Sequence, residues 1–303
     1  MGIDRAEDSD AVDHRSDPPC QPDDPAEPSD AVLADPQQLA ELHRTHRARV
    51  EHDYDTYRSG WTEVLPELRA AWDKHVEKYP ESKRPVPRTL EDGSWTDGAE
   101  RMLTAEQNAE ASEACADIRR EGKEAILPAM RRIETTDPNR HLEGLEHMLK
   151  GEDRLKEKVA DILFVELGLT VRQALAKVPD AVRFTLTYSQ QRYAEGVRSD
   201  VEQLKSQGFE LVRLKNLWSE EQYKGINSQW RNPETGLRFE VQFHTPHSLA
   251  AKELTHKAYE RLRSTEVTQA ERDELEEYQR RAYVAITIPA GSASIEEFPI
   301  RNG

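Results

Sequence analysis

The stretch FELVRLKNLWSEEQYKGINSQWRNPETGLRFEVQFHT, residues 209–245, decides the fold. In its last third Leu237, Phe239, Val241 and Phe243 alternate with Arg238, Glu240, Gln242 and His244. A period of two places the first set on one face of a strand and the second set on the other. Pro233-Glu234-Thr235-Gly236 separates this run from INSQWRN (226–232), which is a hairpin signal. FELVRLKN (209–216) alternates in the same way, with Arg213 and Lys215 on one face. Upstream lie a strand-like run, AVRFTLTY (181–188), and an amphipathic stretch at 189–207 that Gly208 ends. In that stretch Tyr193, Val197, Val201 and Leu204 share a side, as on a helix. The order is β-α-β and then a hairpin. The expected class is α+β, a small mixed or antiparallel sheet flanked by helices, with a helical N-terminal region.

Further out the pattern is helical. Helices are expected from Pro246 to about Arg263 and from Thr268 to about Ala285, and before the sheet at 152–167 and 170–178. A shorter helix is expected from His141 to Lys150, after a break at Asp137-Pro138. A long one runs from Thr104 to about Thr136, opened by a Thr104-x-x-Gln107 capping box and kinked at Pro128. Residues 81–98 read as a loop, and 37–80 as helix broken near Gly60 and Pro66. There Trp61, Val64, Leu65, Leu68, Ala71 and Trp72 form one apolar stripe, with the two tryptophans packing helices together. The domain reading is an acidic disordered tail (1–36), a helical region (37–140), an α+β domain (141–264), and a C-terminal helix and tail (265–303).

Charge limits the partners. The 303 residues hold 58 acidic against 42 basic side chains, a net charge of −16. Residues 1–36 carry 11 acids, 2 arginines and 6 of the 17 prolines, too polar a mixture to offset the entropy of ordering. The mildly acidic remainder argues against duplex DNA as a partner. No apolar run is long enough to span a membrane, and no apolar segment of a cleavable signal opens the chain. The expected location is the cytoplasm, or outside the cell after export without a cleaved signal. Cys20 and Cys115 cannot build a disulfide framework.

Two groups of residues carry chemistry. If the polar faces of 209–216 and 237–245 lie together, Glu240, Gln242 and His244 converge with Arg213 and Lys215. A half-exposed antiparallel sheet with a wet side explains the same alternation more plainly. The second group is His147 to Lys158, where Arg154 and Lys158 share a helical face and Lys150 extends it one turn back. Cations near a helix start suit phosphate, whereas a solvated charged face is the commoner use of such a run. His244, His247, Glu253, His256 and Glu260 lack the spacing of a zinc hydrolase.

Arg213-Leu-Lys215-Asn, Tyr223-Lys-Gly-Ile-Asn227 and Phe239-Glu240-Val-Gln242-Phe-His244-Thr245 resemble, in order and spacing, the synthetase domain of RelA/SpoT-like alarmone synthetases. The family motifs read approximately R-x-K-D-Y, G-Y-x-S-x-H and E-x-Q-I-R-T. Pro179-Asp180-Ala-Val-Arg-Phe resembles the strand opened by the family's magnesium-binding Asp, and Lys150-Gly151 falls at its R-x-K-S phosphate motif. The resemblance covers about residues 141–264. In wording it is closest to the secreted ATP nucleotide 3'-pyrophosphokinases and toxin-like relatives.

The resemblance implies transfer of the β,γ-pyrophosphate of ATP to the 3'-hydroxyl of a purine nucleotide. It assigns Mg²⁺ to Asp180 and Glu240, with Glu240 also as general base. Lys150, Arg154, Lys156, Arg213 and Lys215 would meet ATP and its phosphates; Tyr223, Asn227, Gln242 and His244 would meet the acceptor. An antitoxin or immunity protein is the implied protein partner. Met148 and Gly151 stand where the phosphate motif has Arg and Ser, with Arg154 or Arg183 as replacement for that Arg. Asn227 and His244 stand where the other motifs have His and Arg. Two rival readings are pyrophosphorylation of the tRNA 3' end and a catalytically inactive nucleotide-binding module. Only one His-Asp pair, His52-Asp53, offers itself for a metal hydrolase, which makes a hydrolase the weaker reading.

Overall fold

The structure, a computed structural model, describes residues 64–80, 85–137, 140–264, 266–284 and 286–298, with Gln37, Glu41 and Arg44. By its contacts the chain divides between Leu39 and Ala40, and every element below belongs to 40–303. The acidic tail, Trp61 and the His52-Asp53 pair lie outside the described residues.

Helix α1 spans Val64–Lys78. Pro66 sits in its first turn, where an N–H has no helical partner to lose, so it does not break the helix as expected. Leu68 is fully buried, and the Trp72 ring stacks on His75 at 5.3 Å. The expected loop at 81–98 instead contributes to a three-stranded antiparallel sheet of two-residue strands, β1 (Arg88–Thr89), β2 (Trp95–Thr96) and β3 (Met102–Leu103). Turn chemistry hid it: Asp92 accepts from the Ser94 amide and hydroxyl, folding the chain back in a few residues.

Helix α2 (Ala105–Glu121) opens with the expected capping box. The Gln107 amide donates to Thr104 Oγ1 at 3.2 Å, and the Thr104 amide to Gln107 Oε1 at 3.0 Å. Pro128 produces no simple kink. A π turn at Gly122–Ile126 precedes α3 (Leu127–Thr136), with Pro128 in the first turn of α3. The shifted ladder, in which the Leu127 amide reaches the Gly122 carbonyl, needs no N–H from proline.

The expected helix at 141–150 is not formed. Its first residues make strand β4 (Arg140–Glu143), followed by a short 3₁₀ turn at Leu145–His147. Gly144, at φ 61°, separates the two. Tertiary partners override helix propensity here. Glu134 on α3 accepts from the Leu142 amide at 2.9 Å, and Leu142 packs across from Leu186. Helices α4 (Glu152–Val165) and α5 (Val171–Ala176) follow, the latter capped by Thr170 and Gln173.

Strand β5 (Arg183–Tyr188), helix α6 (Tyr193–Ser206), and strands β6 (Glu210–Asn216), β7 (Ile226–Arg231) and β8 (Arg238–His244) fall close to where alternation placed them. Helices α7 (Pro246–Leu262) and α8 (Gln269–Val284) close the order. The sheet order is β4-β5-β8-β7-β6; only β5 and β8 run parallel. The class is α+β with a mixed sheet. Phe184, Leu186, Phe239, Val241 and Phe243 fill its apolar face, against Tyr193, Val197 and Leu204 of α6. One apolar cluster runs from Trp95 to Ile295, so the α+β segment shares its core with the chain on either side. Leu214 and Phe298 exchange two backbone hydrogen bonds, closing the outer edge of β6.

Gly196 marks the tightest contact of α6 on the sheet. A Cβ there would lie 2.5 Å from Tyr188 Cδ1 and 2.6 Å from Cε1. Tyr188 is held by Asp200 and by the edge of the Tyr193 ring, so it has no room to turn. Gly196→Ala is expected to lower the unfolding free energy by about 1–3 kcal/mol in urea titration.

Candidate functional site

Register lines up the polar face of the sheet in rows. Arg213, Gln229, Glu240 and Arg183 stand opposite one another across β6, β7, β8 and β5. Lys215, Asn227, Gln242, Thr185 and Glu143 form the next row. The face expected to be wet is partly closed: Gln242 is 6% exposed and His244 fully buried, while Arg213, Gln229, Glu240 and Arg183 are half-buried. Helix α7 accounts for part of this. It leaves β8 at once because Thr245 caps it with Ser248 and Pro246 starts it, so it turns back against β5 and β8.

Asp180, just before β5, lies between two lysines. Lys150 Nζ is 3.0 Å from one carboxylate oxygen and Lys158 Nζ 2.5 Å from the other. Burial works to raise the Asp180 pKa, but the hydrogen bonds and charges of Lys158 and Lys150 overcome it, so the carboxyl lies below its ordinary value. Lys158 itself lies below its ordinary value, because burial outweighs the attraction of Asp180. Glu240 is pushed the other way. Burial raises its pKa against the Gln242 hydrogen bond and the Arg183 charge, with Asp180 adding repulsion. Lys252 of α7 completes the group, its Nζ donating to Gln242 Oε1 at 2.5 Å. Burial, helped by Arg183, lowers the Lys252 ammonium to about 8.

Around Glu240 and Asp180, then, stand Lys150, Lys158, Arg183 and Lys252. Two carboxylates among four cations on a partly closed face can hold a polyanion and take up a proton. Lys158 and Lys252 do not figure among the residues expected from the family motifs. Lys158 was legible only as the helical neighbour of Arg154, four residues on. Lys252 had no signal, since its place depends on how α7 turns back.

The other expected residues are distributed as follows. Lys156 faces away, buried in an ion pair with Glu152 at 2.9 Å, because a two-residue step along α4 turns it away from Arg154 and Lys158. Arg154 pairs with Glu157 at 2.9 Å and is not brought to Asp180. Arg213 and Lys215 lie on β6, two strands from Glu240. Tyr223 donates to Asn227 Oδ1 at 2.7 Å and its oxygen is 2.9 Å from His244 Nε2. His244 Nδ1 is 2.9 Å from Ser248 Oγ. Burial drives the His244 pKa far down, so the ring is a neutral hydrogen-bonding post at pH 7, and not a cation. Among the described residues no three His, Cys, Asp or Glu side chains form a metal cluster. None of the described helices is long and apolar enough to cross a membrane.

Fold and site together define an α+β protein with a charged, polyanion-suited face on a mixed sheet. No family model matches the chain, and no curated protein matches its sequence. Among solved structures it is similar to a GTP pyrophosphokinase family protein from Streptococcus pneumoniae, at 15% identity and a TM-score of 0.40, over 60% of this chain and 89% of that one. It is also similar to smu.1046c from Streptococcus mutans UA159, at 14% identity and 0.39, over 57% and 89%.

Proposed function

We propose that this chain is a toxin-like nucleotide 3'-pyrophosphokinase that moves the β,γ-pyrophosphate of ATP to the 3'-hydroxyl of a purine nucleotide. The observation that carries this reading is the pair Asp180 and Glu240, set among Lys150, Lys158, Arg183 and Lys252. The motif order of 209–245 supports it independently.

The reaction forms a bond from the 3'-oxygen to the β-phosphorus and breaks the bond from that phosphorus to the α–β bridging oxygen. AMP leaves. Attack on so anionic a centre needs neutralising charge already in place. Lys150 and Lys158 hold that charge beside Asp180 before substrate arrives and can pass to the phosphates when it binds. Glu240 takes the hydroxyl proton, and its raised pKa makes it a better acceptor than an exposed carboxylate.

Mg²⁺ fits the donors present. Asp180 and Glu240 suit an ion that takes one or two carboxylates and fills its shell with water and phosphate, once Lys150 and Lys158 release the Asp180 oxygens they hold. Bound there, it would supply further charge neutralisation on the transferred group. Tyr223, held by Asn227 and His244, offers its ring to the acceptor base.

Incubation with γ-labelled ATP, Mg²⁺ and a panel of nucleotides tests the reading: label should appear in a purine nucleotide. AMP, ADP or ATP is expected to accept at least as well as GDP or GTP, and strict guanine use would overturn that preference. Label in tRNA alone would move the acceptor to the tRNA 3' end, and no transfer to any acceptor would end the proposal. Deleting residues 1–36, which contain no candidate site residue, is expected to leave the rate within about twofold.

A further inference from the structure

The hydrogen bonds around Glu240 run in one direction, and a single cation sets that direction. An ammonium has three donors and no acceptor, so the Gln242 atom facing Lys252 Nζ at 2.5 Å must be the amide oxygen. The amide nitrogen then has to be the atom turned toward Glu240, and it donates to Oε1 at 3.1 Å. Gln242 is 6% exposed, so water does not readily replace either partner. The side chains come from two elements. Gln242 and Glu240 are alternate residues of β8, and Lys252 reaches across from α7.

We propose that Lys252 is a positioning residue: by fixing the Gln242 amide it aims an N–H at Glu240 and holds the carboxylate in the orientation that faces the acceptor hydroxyl. This rests on the pyrophosphokinase reading for its kinetic consequence, but not for its geometry. Without the ammonium the amide loses one of the two bonds that fix it, and only its own bond to Glu240 opposes its turning over. Its oxygen would then face the Glu240 carboxylate, two acceptors without a proton between them, and the carboxylate would swing away. Arg183 stands opposite Glu240 in register, so the displaced carboxylate has a cation to move toward.

Two measurements separate this inference from the function it serves. The first needs no substrate. The side-chain NH₂ signals of Gln242, assigned in ¹⁵N spectra by their loss in Gln242→Leu, should shift or exchange faster in Lys252→Met and return toward wild type in Lys252→Arg. Unchanged signals in Lys252→Met overturn the relay whether or not the protein proves active. The second is kinetic. In an active wild type, Lys252→Met should lower kcat about tenfold or more with KM for ATP within about twofold, and Lys252→Arg should recover most of it. In a Gln242→Leu background the same change should cost less than about threefold, because the relay is already broken. Additive losses, or a loss confined to KM, would mean that Lys252 meets phosphate directly and would overturn the relay. A wild type that transfers to no acceptor refutes the pyrophosphokinase reading and leaves the amide signals to decide the relay alone.

Discussion

Glu240→Gln is expected to cut pyrophosphate transfer by more than about a hundredfold, the usual lower range for loss of a general base. The substitution is nearly isosteric and keeps an oxygen for the Gln242 amide, whose bond to Glu240 Oε1 is 3.1 Å. Burial already favours the neutral form of Glu240, so an amide there should leave urea stability within about 1 kcal/mol. Asp180 needs a different substitution. Removing it to Ala would leave Lys150 and Lys158 facing each other without a carboxylate between them. Asp180→Asn removes the charge and keeps an oxygen for one of the two lysines while its amide NH₂ faces the other, a smaller disturbance than Ala. The same hundredfold loss, about 2.7 kcal/mol in barrier, is expected. If either variant keeps more than about a tenth of wild-type turnover, its assigned role is wrong.

The sheet was legible because each of its later strands carries its own signal. Alternation at 183–188, 210–216 and 226–244 reflects a face packed on α6, and the Pro-Glu-Thr-Gly turn fixed the hairpin. Strand β4 carries no such signal. Four residues are too few for a period to show, and Arg140 and Glu143 are not residues that propensity places in strands. What makes β4 a strand is Glu134 of helix α3, eight residues before Leu142, bonding to the Leu142 amide and to His141.

The site divides in the same way. Asp180, Glu240 and Lys150 come from motif positions, and the structure brings them to one face. Lys156 sat in the same basic run, but its place on the helix turns it toward Glu152. Lys252 belongs to no basic run. It enters because the Thr245 cap sends α7 back over the polar row, a geometry no local pattern encodes. His244, grouped with the acceptor residues, is instead the buried support behind Tyr223.

Arg140→Met is expected to cost about 3–5 kcal/mol at pH 8, the penalty for leaving a buried charge without its partner. The Arg140 and Asp200 side chains are 2% and 0% exposed, and Arg140 Nη1 lies 2.5 Å from Asp200 Oδ1. The same guanidinium donates to the Ile133 carbonyl at 3.0 Å, and Tyr188 donates to the second Asp200 oxygen at 2.5 Å. These bonds tie β4 to α3, α6 and β5, at the edge where sequence alone shows no strand. The loss should depend on pH in a set direction. Burial lifts the Asp200 carboxyl to about 7, with Arg140 and Tyr188 opposing and Asp137 adding to the rise. Since this folded value lies above the unfolded one, the group's contribution is fully present below about pH 4 and is lost as pH climbs through about 7. Removing Arg140 deletes the opposing cation and moves the folded value higher still, so the variant goes on losing stability where wild type has stopped. At pH 5 the folded carboxyl is protonated in both proteins, and the deficit should be smaller than at pH 8 by up to about 1.4 kcal/mol, the linkage over the one pH unit above the wild-type value of about 7. Urea titrations at pH 5 and pH 8 measure it, and an equal deficit at both would show that Arg140 acts through its carbonyl bonds and not through Asp200.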